Sequence, residues 1–443
     1  MAEAALTRRV THTPSERMTL TTCVLCLAGF VCDASGADDP TKALPVAASE
    51  SQGFSPARLE RVTRYAQRVV DERQYAGAVV LIARRGSIVQ WQAIGYRDAA
   101  RSSPMRPDAI FQIYSMTKPI TSVAALLLME EGRLTLEDPV SRFIPEFARM
   151  QVLESENADS SQLRPAARPV SIRHLLTHTA GFAAGAQLRG PAVDRMRDAL
   201  LDESPSLAAY ATSVAALPLA NDPGMRFSYD GVSIEVLSRV IEVAAGTPFD
   251  EFLRKRLLEP LRMFDTGFTV PQGQRMRIVE MTSTDDAGRL IRAGAAANPS
   301  GEMRKQFPSG AGGLYSTAGD YARFCQLLLN RGELDGARIL SRKIVELMMS
   351  NQLTHLSPPV NEFSDAEGFG LGGYVVLDPA RRGQLGSVGQ FGWSGAAATW
   401  FTVDPKEQLI AILMMQHLPR GLLRDPPRLG KPFNDLVYQA LVE

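Results

Sequence analysis

A chain of 443 residues can bury a large core and form two or three structural units, which excludes a short binding module. Apolar residues make up 45% and charged residues 22%, and the formal net charge is +0. Disorder, a polybasic nucleic-acid surface and an acidic tail are therefore excluded, along with partners that need a strong field.

The chain opens with Arg8, Arg9 and Arg17 ahead of TLTTCVLCLAGFVCDASGA, which holds Cys23, Cys26 and Cys32. A basic start, an apolar run too short to span a bilayer and small residues at Ser35 and Ala37 describe a secretory signal peptide, and so an exported protein with no membrane span in its mature chain. The alternatives are a misplaced start, with Met18 as the true one, and a cytoplasmic location. A metal-binding reading of the cysteines lacks a second pair and a flanking histidine at zinc spacing. Val31 before Cys32 argues against a lipoprotein anchor. Removal of the segment leaves Cys325 as the sole thiol.

Residues 38–53, rich in Ala, Ser, Pro and acid, read as a linker. SPARLERVTRYAQRVVDER follows, with a Ser-Pro start and apolar residues at helical spacing, a helix laid on a core. AGAVVLIARRGSIVQWQAIGY reads as a β-hairpin turning at Arg84 to Ser87. Then comes IYSMTKPITSVAALLLMEEG, whose Pro119 is tolerated only in a first helical turn, so the helix begins at or just before Ser115. Its apolar residues run almost all round, the pattern of a central helix packed on every side.

Between residues 121 and 296 helical patterns dominate: DPVSRFIPEF, SIRHLLTHTAGF, the stretch from Pro191 to Ala216, and VSIEVLSRVIEVAAG. Strands return late, in GFGLGGYVVLD, GAAATWFTVDP and QLIAILMMQ. The expected organisation is a segment 1–53 of signal peptide and linker, an α/β domain from 54–120 and 297–443, and a mainly helical domain 121–296. N- and C-terminal strands then share one antiparallel sheet flanked by helices, an α+β fold.

Of the seven lysines, only Lys118 has a serine three residues before it. Residues three apart share a helix face, so Lys118 can point at the Ser115 hydroxyl. A serine becomes a nucleophile once its proton is taken, and a lysine helps where burial favours its neutral amine. The plainer reading, a capping serine beside a solvated lysine, fits the spacing alone better, because Ser-x-x-Lys is a weak pattern. In NDPGMRFSYDGVSIEVL, Tyr229 follows a Pro-Gly turn and precedes a helix. A phenol on a loop near an ammonium can act as general base, while the plain alternative is a half-buried tyrosine. In FGWSGAAATW, glycines beside a strand mark close approach to backbone, and such an edge can lend an N–H to an oxyanion. The alternative there is a simple turn into a core strand. His174 and His178 sit four apart in HLLTH, with no Glu between them and no third ligand, and read as helix packing and capping rather than as a metal site.

Taken in order, SMTKP at 115–119, SIRHLLTHTAGF at 171–182, PGMRFSY at 223–229 and SGAGGLYSTAGDYARF at 309–324 resemble the serine β-lactamase and penicillin-binding-protein-like superfamily. The resemblance runs from about Phe54 to Gln416 and is strongest to the family VIII carboxylesterases, which are similar to class C β-lactamases. It implies a β-lactamase-like antiparallel sheet of five or more strands with an inserted mainly helical domain. It implies Ser115 as the acylated nucleophile, Lys118 as its proton partner and Tyr229 as the base that also protonates the leaving group. Trp393, Ser394 and Gly395 take the place of the Lys-Thr-Gly triplet in substrate binding, and the N–H groups of Ser115 and Ala396 form the oxyanion hole. No metal or organic cofactor is implied. Two departures matter: Asp230 and Gly231 follow Tyr229, so the asparagine of Tyr-x-Asn is missing, and Trp393 replaces the triplet lysine. Both remove polar handles for a β-lactam and favour a neutral, small-molecule ester, with slow cephalosporin turnover as a side activity. The rivals are a β-lactamase or D,D-peptidase and a non-catalytic penicillin-binding-type receptor. A Gly-x-Ser-x-Gly esterase is disfavoured because no intact copy of that motif occurs.

Overall fold

GAVVLIAR has no polar residue before its last position, and the strand it forms, β1 (Gly77–Arg84), is buried along its whole length. A strand with apolar residues on both faces must be covered on both, and this one is. In the computed structural model, which describes residues 44–156, 161–185 and 187–443, β1 lies inside a seven-stranded antiparallel sheet. The other strands are β2 (Ser87–Gly95), β3 (Glu367–Phe369), β4 (Tyr374–Val376), β5 (Phe391–Ser394), β6 (Trp400–Asp404) and β7 (Leu409–Met414), in the order β3-β4-β5-β6-β7-β1-β2. The two ends of the chain meet where β1 pairs with β7, Val79 opposite Met414 through Arg84 opposite Leu409. The β1–β2 hairpin turns on Arg85 and Gly86, both left-handed with φ of 51° and 82°, the geometry that matches strand twist in a two-residue turn.

Alternation sorts the two faces. Ala78, Val80 and Ile82 of β1 join Leu409, Ala411 and Leu413 of β7 against helices α1 (Pro56–Asp71) and α6 (Gly430–Gln439). Val79, Leu81 and Ala83 with Ile410, Ile412 and Met414 face the larger core, which contains α2 (Thr117–Glu130), α4 (Val232–Ala245) and α5 (Ala318–Leu329). Helix α1 has Ser55 in extended conformation at its N-cap with Pro56 at the first helical position, and buries Leu59, Val62, Ala66, Val69 and Val70. Helix α2 is buried from Thr117 to Leu128, as its all-round apolar pattern requires.

Three elements differ from the expectation. DPVSRFIPEF forms two 3-10 turns, Val140–Arg142 and Pro145–Arg149, because Pro139 and Pro145 each interrupt the α-helical hydrogen-bond ladder. SIRHLLTHTAGF yields only the five-residue helix α3 (Ile172–Leu176). The glycine-rich GFGLGGYVVLD divides into two short strands, β3 and β4, around Gly370 to Gly373, where a Cβ on Gly373 would meet the Gly392 carbonyl at 2.7 Å. Residues 44–53 run beside the sheet edge, with the Ala47 N–H donated to the Ile88 carbonyl, and the Gly53 carbonyl accepts the Val442 N–H. The signal-peptide segment and residues 38–43 of the expected linker lie outside the described residues. No helix among the described residues is long and apolar enough to cross a membrane.

Helix α5 begins at Thr317, whose hydroxyl accepts the Asp320 N–H. The Asp320 carboxyl is buried under the Asp265 N–H at 2.9 Å and the Thr266 hydroxyl at 2.8 Å. Burial pushes this carboxyl up from 3.8 to about 7. The folded protein therefore holds a proton that the unfolded chain releases above about pH 4, so the stability this group contributes is present in acid and lost as pH rises through 7. Asp320→Asn, permanently neutral and of the same shape, is expected to melt a few degrees above wild type at pH 8 and together with it at pH 4. Melting curves at the two pH values check this.

Candidate active site

Strand β5, the start of α2 and the loop before α4 bring the chemistry together. Ser115 lies on a 3-10 turn, Tyr114–Met116, that runs straight into α2. Tyr114 immediately before it has φ of 46°, a left-handed conformation uncommon outside glycine, so the chain turns sharply into the serine. Lys118 is 3% exposed, and its Nζ donates to Ser115 Oγ at 3.0 Å and to the Ala311 carbonyl at 2.7 Å. The same Nζ stands 4.9 Å from the centroid of the Tyr229 ring. Among the described residues no carboxylate pairs with it; its neighbours are the hydroxyl, the carbonyl and the ring face.

Glycines bring the backbone this close. The segment 309–314 is pinned to α2 by the Thr121 hydroxyl on the Gly310 carbonyl at 2.8 Å and by the Leu314 N–H on the Thr117 hydroxyl at 3.2 Å. A Cβ on Gly310 would sit 2.0 Å from Ser238 Oγ of α4. Gly395 plays the matching part on the other side: a Cβ there would meet Thr399 Oγ1 at 2.2 Å and the Ile113 carbonyl at 2.5 Å. The Thr399 hydroxyl donates to that same Ile113 carbonyl at 3.3 Å, so the turn after β5 is bound to the backbone two residues before Ser115. The Gly395 N–H is taken by the Thr399 carbonyl. The N–H groups of Ser115 and Ala396 have no acceptor among the described residues, which leaves them free for an oxyanion.

Tyr229 precedes α4, and its oxygen accepts the Trp393 indole N–H at 3.0 Å. The two rings lie 4.9 Å apart, with Phe363 at 5.7 Å from Tyr229 and Phe369 at 5.1 Å from Trp393. The backbone N–H of Tyr229 is held by Glu362 at 3.0 Å. The phenolic oxygen thus faces the indole, and no hydrogen bond joins it to Ser115. Ser115, Lys118 and Tyr229 line one cavity of about 470 Å³. Trp393, Ser394, Gly395 and Ala396 lie outside its lining and reach it through the Trp393–Tyr229 bond and the Gly395 contact with Ile113.

One residue that spacing assigned to packing stands close to the chemistry. His178, buried with φ of 53°, lies 4.7 Å from the Tyr229 ring, and its Nδ1 stands between the Asp230 N–H at 3.4 Å and the Asp230 carboxylate at 3.5 Å. Burial pushes the His178 pKa down against the pull of Asp230, so the ring is neutral. Asp230 also accepts from Ser233 N–H at 2.6 Å and Ser233 Oγ at 2.9 Å, which ties the Tyr229 loop to the start of α4. No sequence signal marked it: its left-handed φ and its place against Tyr229 belong to the fold. His174 caps α3: its Nδ1 accepts the Ser171 N–H, and its own N–H goes to the Ser171 hydroxyl.

Comparison with known proteins agrees with this architecture. The β-lactamase family model matches residues 62–429. An uncharacterized protein of Mycobacterium tuberculosis is 36% identical over 361 residues, 79% of this chain and 88% of its own. Esterase EstB of Burkholderia gladioli is 30% identical over 408 residues, 85% of this chain and 94% of its own. Among solved structures EstCE1, described as a hydrolase with promiscuous acyltransferase activity, is similar with a TM-score of 0.71 at 24% identity, over 87% of this chain and 99% of its own, a likeness of fold. The chain belongs to the β-lactamase family, the β-lactamase-fold serine hydrolases that have esterases among their members.

Proposed function

We propose that this protein is a carboxylesterase that cleaves short-chain esters through a covalent acyl-enzyme on Ser115. The observation that carries the reading is the buried Lys118 Nζ, 3.0 Å from Ser115 Oγ and against the face of Tyr229. In its neutral form the amine takes the Ser115 proton, with Tyr229 as the group next beyond it, while Oγ attacks the ester carbonyl. The N–H groups of Ser115 and Ala396 receive the developing oxyanion, each worth about 10²- to 10³-fold in rate. Collapse breaks the bond to the alkoxide, and the Tyr229–Lys118 pair returns the proton to it, releasing alcohol. Water then enters, gives its proton to the same pair, attacks the acyl carbonyl and releases the acid as Ser115 recovers its own.

The wall around this centre favours an ester over a β-lactam. Trp393 spends its only side-chain donor on Tyr229 and offers an aromatic face where the β-lactamase triplet carries a lysine. Gly231 stands where the amide of Tyr-x-Asn would be. Slow turnover of cephalosporins is part of the proposal, as is export of the protein.

Ser115→Ala is expected to abolish hydrolysis of p-nitrophenyl butyrate; near wild-type rates in that variant would contradict the assignment. Lys118→Ala and Tyr229→Phe are each expected to lower kcat by about 10²-fold or more with smaller changes in KM, because they act on the transition state. Gly395→Ala is expected to lose about 10²-fold in kcat while Ser115 stays in place, since the added Cβ displaces the turn that carries the Ala396 N–H. Steady-state kinetics of the three variants check this.

A further inference from the structure

One stretch of chain supplies much of the wall of the cavity beside Ser115: Met303, Arg304, Lys305, Phe307 and Ser309 all line it. From Met303 to Phe307 no backbone N–H meets an acceptor among the described residues, so side chains hold this stretch in place. Lys305 Nζ lies 2.8 Å from both Asp202 Oδ1 and Glu235 Oε1, and the Phe307 ring packs against the Tyr210 ring at 5.4 Å. Arg304 is thus carried next to a fixed neighbour. Its own guanidinium lies 5.1 Å from the centroid of the Tyr114 ring, which belongs to the residue just before Ser115 and lines the same cavity.

Three carboxylates line the cavity, and each is engaged. Asp202 and Glu235 share Lys305, and Asp230 accepts the Ser233 N–H and hydroxyl at 2.6 and 2.9 Å. Arg304 is exposed, and no carboxylate among the described residues pairs with it. The contact with the Tyr114 ring restrains the guanidinium without neutralising it. A guanidinium laid on an aromatic face keeps the N–H donors of its edge, in the fork that matches the two oxygens of a carboxylate. Among the groups an ester arm can carry, a carboxylate gains most from such a fork, since charge-assisted hydrogen bonds are roughly twice as strong as neutral ones. The first turn of α2, with the positive end of its dipole, follows directly on Tyr114 and Ser115 and favours the same sign of ligand.

We infer that Arg304 forms a carboxylate-reading subsite, and that the substrate is an ester one of whose arms ends in a carboxylate. This rests on the ester reading of the site and adds a charge to the substrate, where the missing triplet lysine by itself pointed to a neutral one.

The test compares half-esters with methyl-ended esters of the same length: monomethyl succinate, glutarate and adipate against methyl butyrate, pentanoate and hexanoate, with acid release followed. The alcohol arm is examined with 3- and 4-carboxyphenyl butyrate against phenyl butyrate. In at least one of these pairs kcat/KM for the carboxylate arm is expected to exceed that of its neutral partner by about fivefold or more. Arg304→Gln is expected to remove the preference, and Arg304→Glu to turn it in favour of the neutral arm. A smaller gain in every pair overturns the inference. So does a preference that Arg304→Gln leaves intact, which would assign the reading of charge to Lys118. If the wild type hydrolyses none of these esters, neutral ones included, the ester reading fails, and the subsite is still decided by calorimetry with succinate, glutarate and adipate. At least one of the three is expected to bind wild type about fivefold or more tightly than Arg304→Gln, and a smaller difference for all three overturns the inference.

Discussion

A buried lysine, with no carboxylate beside it among the described residues, organises this molecule. Lys118 sits at the head of a helix that is enclosed on every side, and it is kept there by one hydroxyl, one carbonyl and one aromatic face. No carboxylate among the described residues engages the amine, which is left facing the Ser115 oxygen 3.0 Å away. The glycines of 309–313 and Gly395 follow from the same constraint, because carbonyls and N–H groups can crowd round Ser115 only where no side chain intervenes. The sheet supplies the rigidity: β5 delivers Trp393 and the Gly395 turn from one side, and Tyr321 of α5 donates to the Met116 carbonyl at 2.9 Å from beneath.

The second half of the site is a stack. His178, Tyr229 and Trp393 lie in succession, with Asp230 binding the outer imidazole to the first turn of α4 and Glu362 holding the Tyr229 backbone. The neutral state of His178 fits this place, since a second cation next to Lys118 would oppose the buried ammonium. The Trp393 indole N–H is spent on the phenol, and its ring joins Phe363 and Phe369 in an apolar cluster beside Tyr229.

Much of this was legible in the sequence. The three-residue step from Ser115 to Lys118 forces a shared face once Pro119 fixes the helix start, and the apolar run after it forces burial. The hairpin, α1 and the central helix follow from period and turn chemistry alone. What pattern could not carry were contacts made across the chain. Nothing local says that the Trp393 indole meets the phenol 164 residues earlier, or that His178 turns under it. GFGLGGYVVLD read as strand, but its division into β3 and β4 was hidden in its glycines, which stand where backbone must pass close to backbone. The helical pattern of DPVSRFIPEF was overruled by its prolines.

The most direct measurement is a rapid acid quench of the protein with excess p-nitrophenyl butyrate, followed by intact mass and peptide mapping. The account predicts a gain of one butyryl group, carried by the peptide that contains Ser115 and cleared as product forms. Turnover with no adduct on that peptide, or an adduct on another side chain that forms and clears at the rate of catalysis, would contradict it.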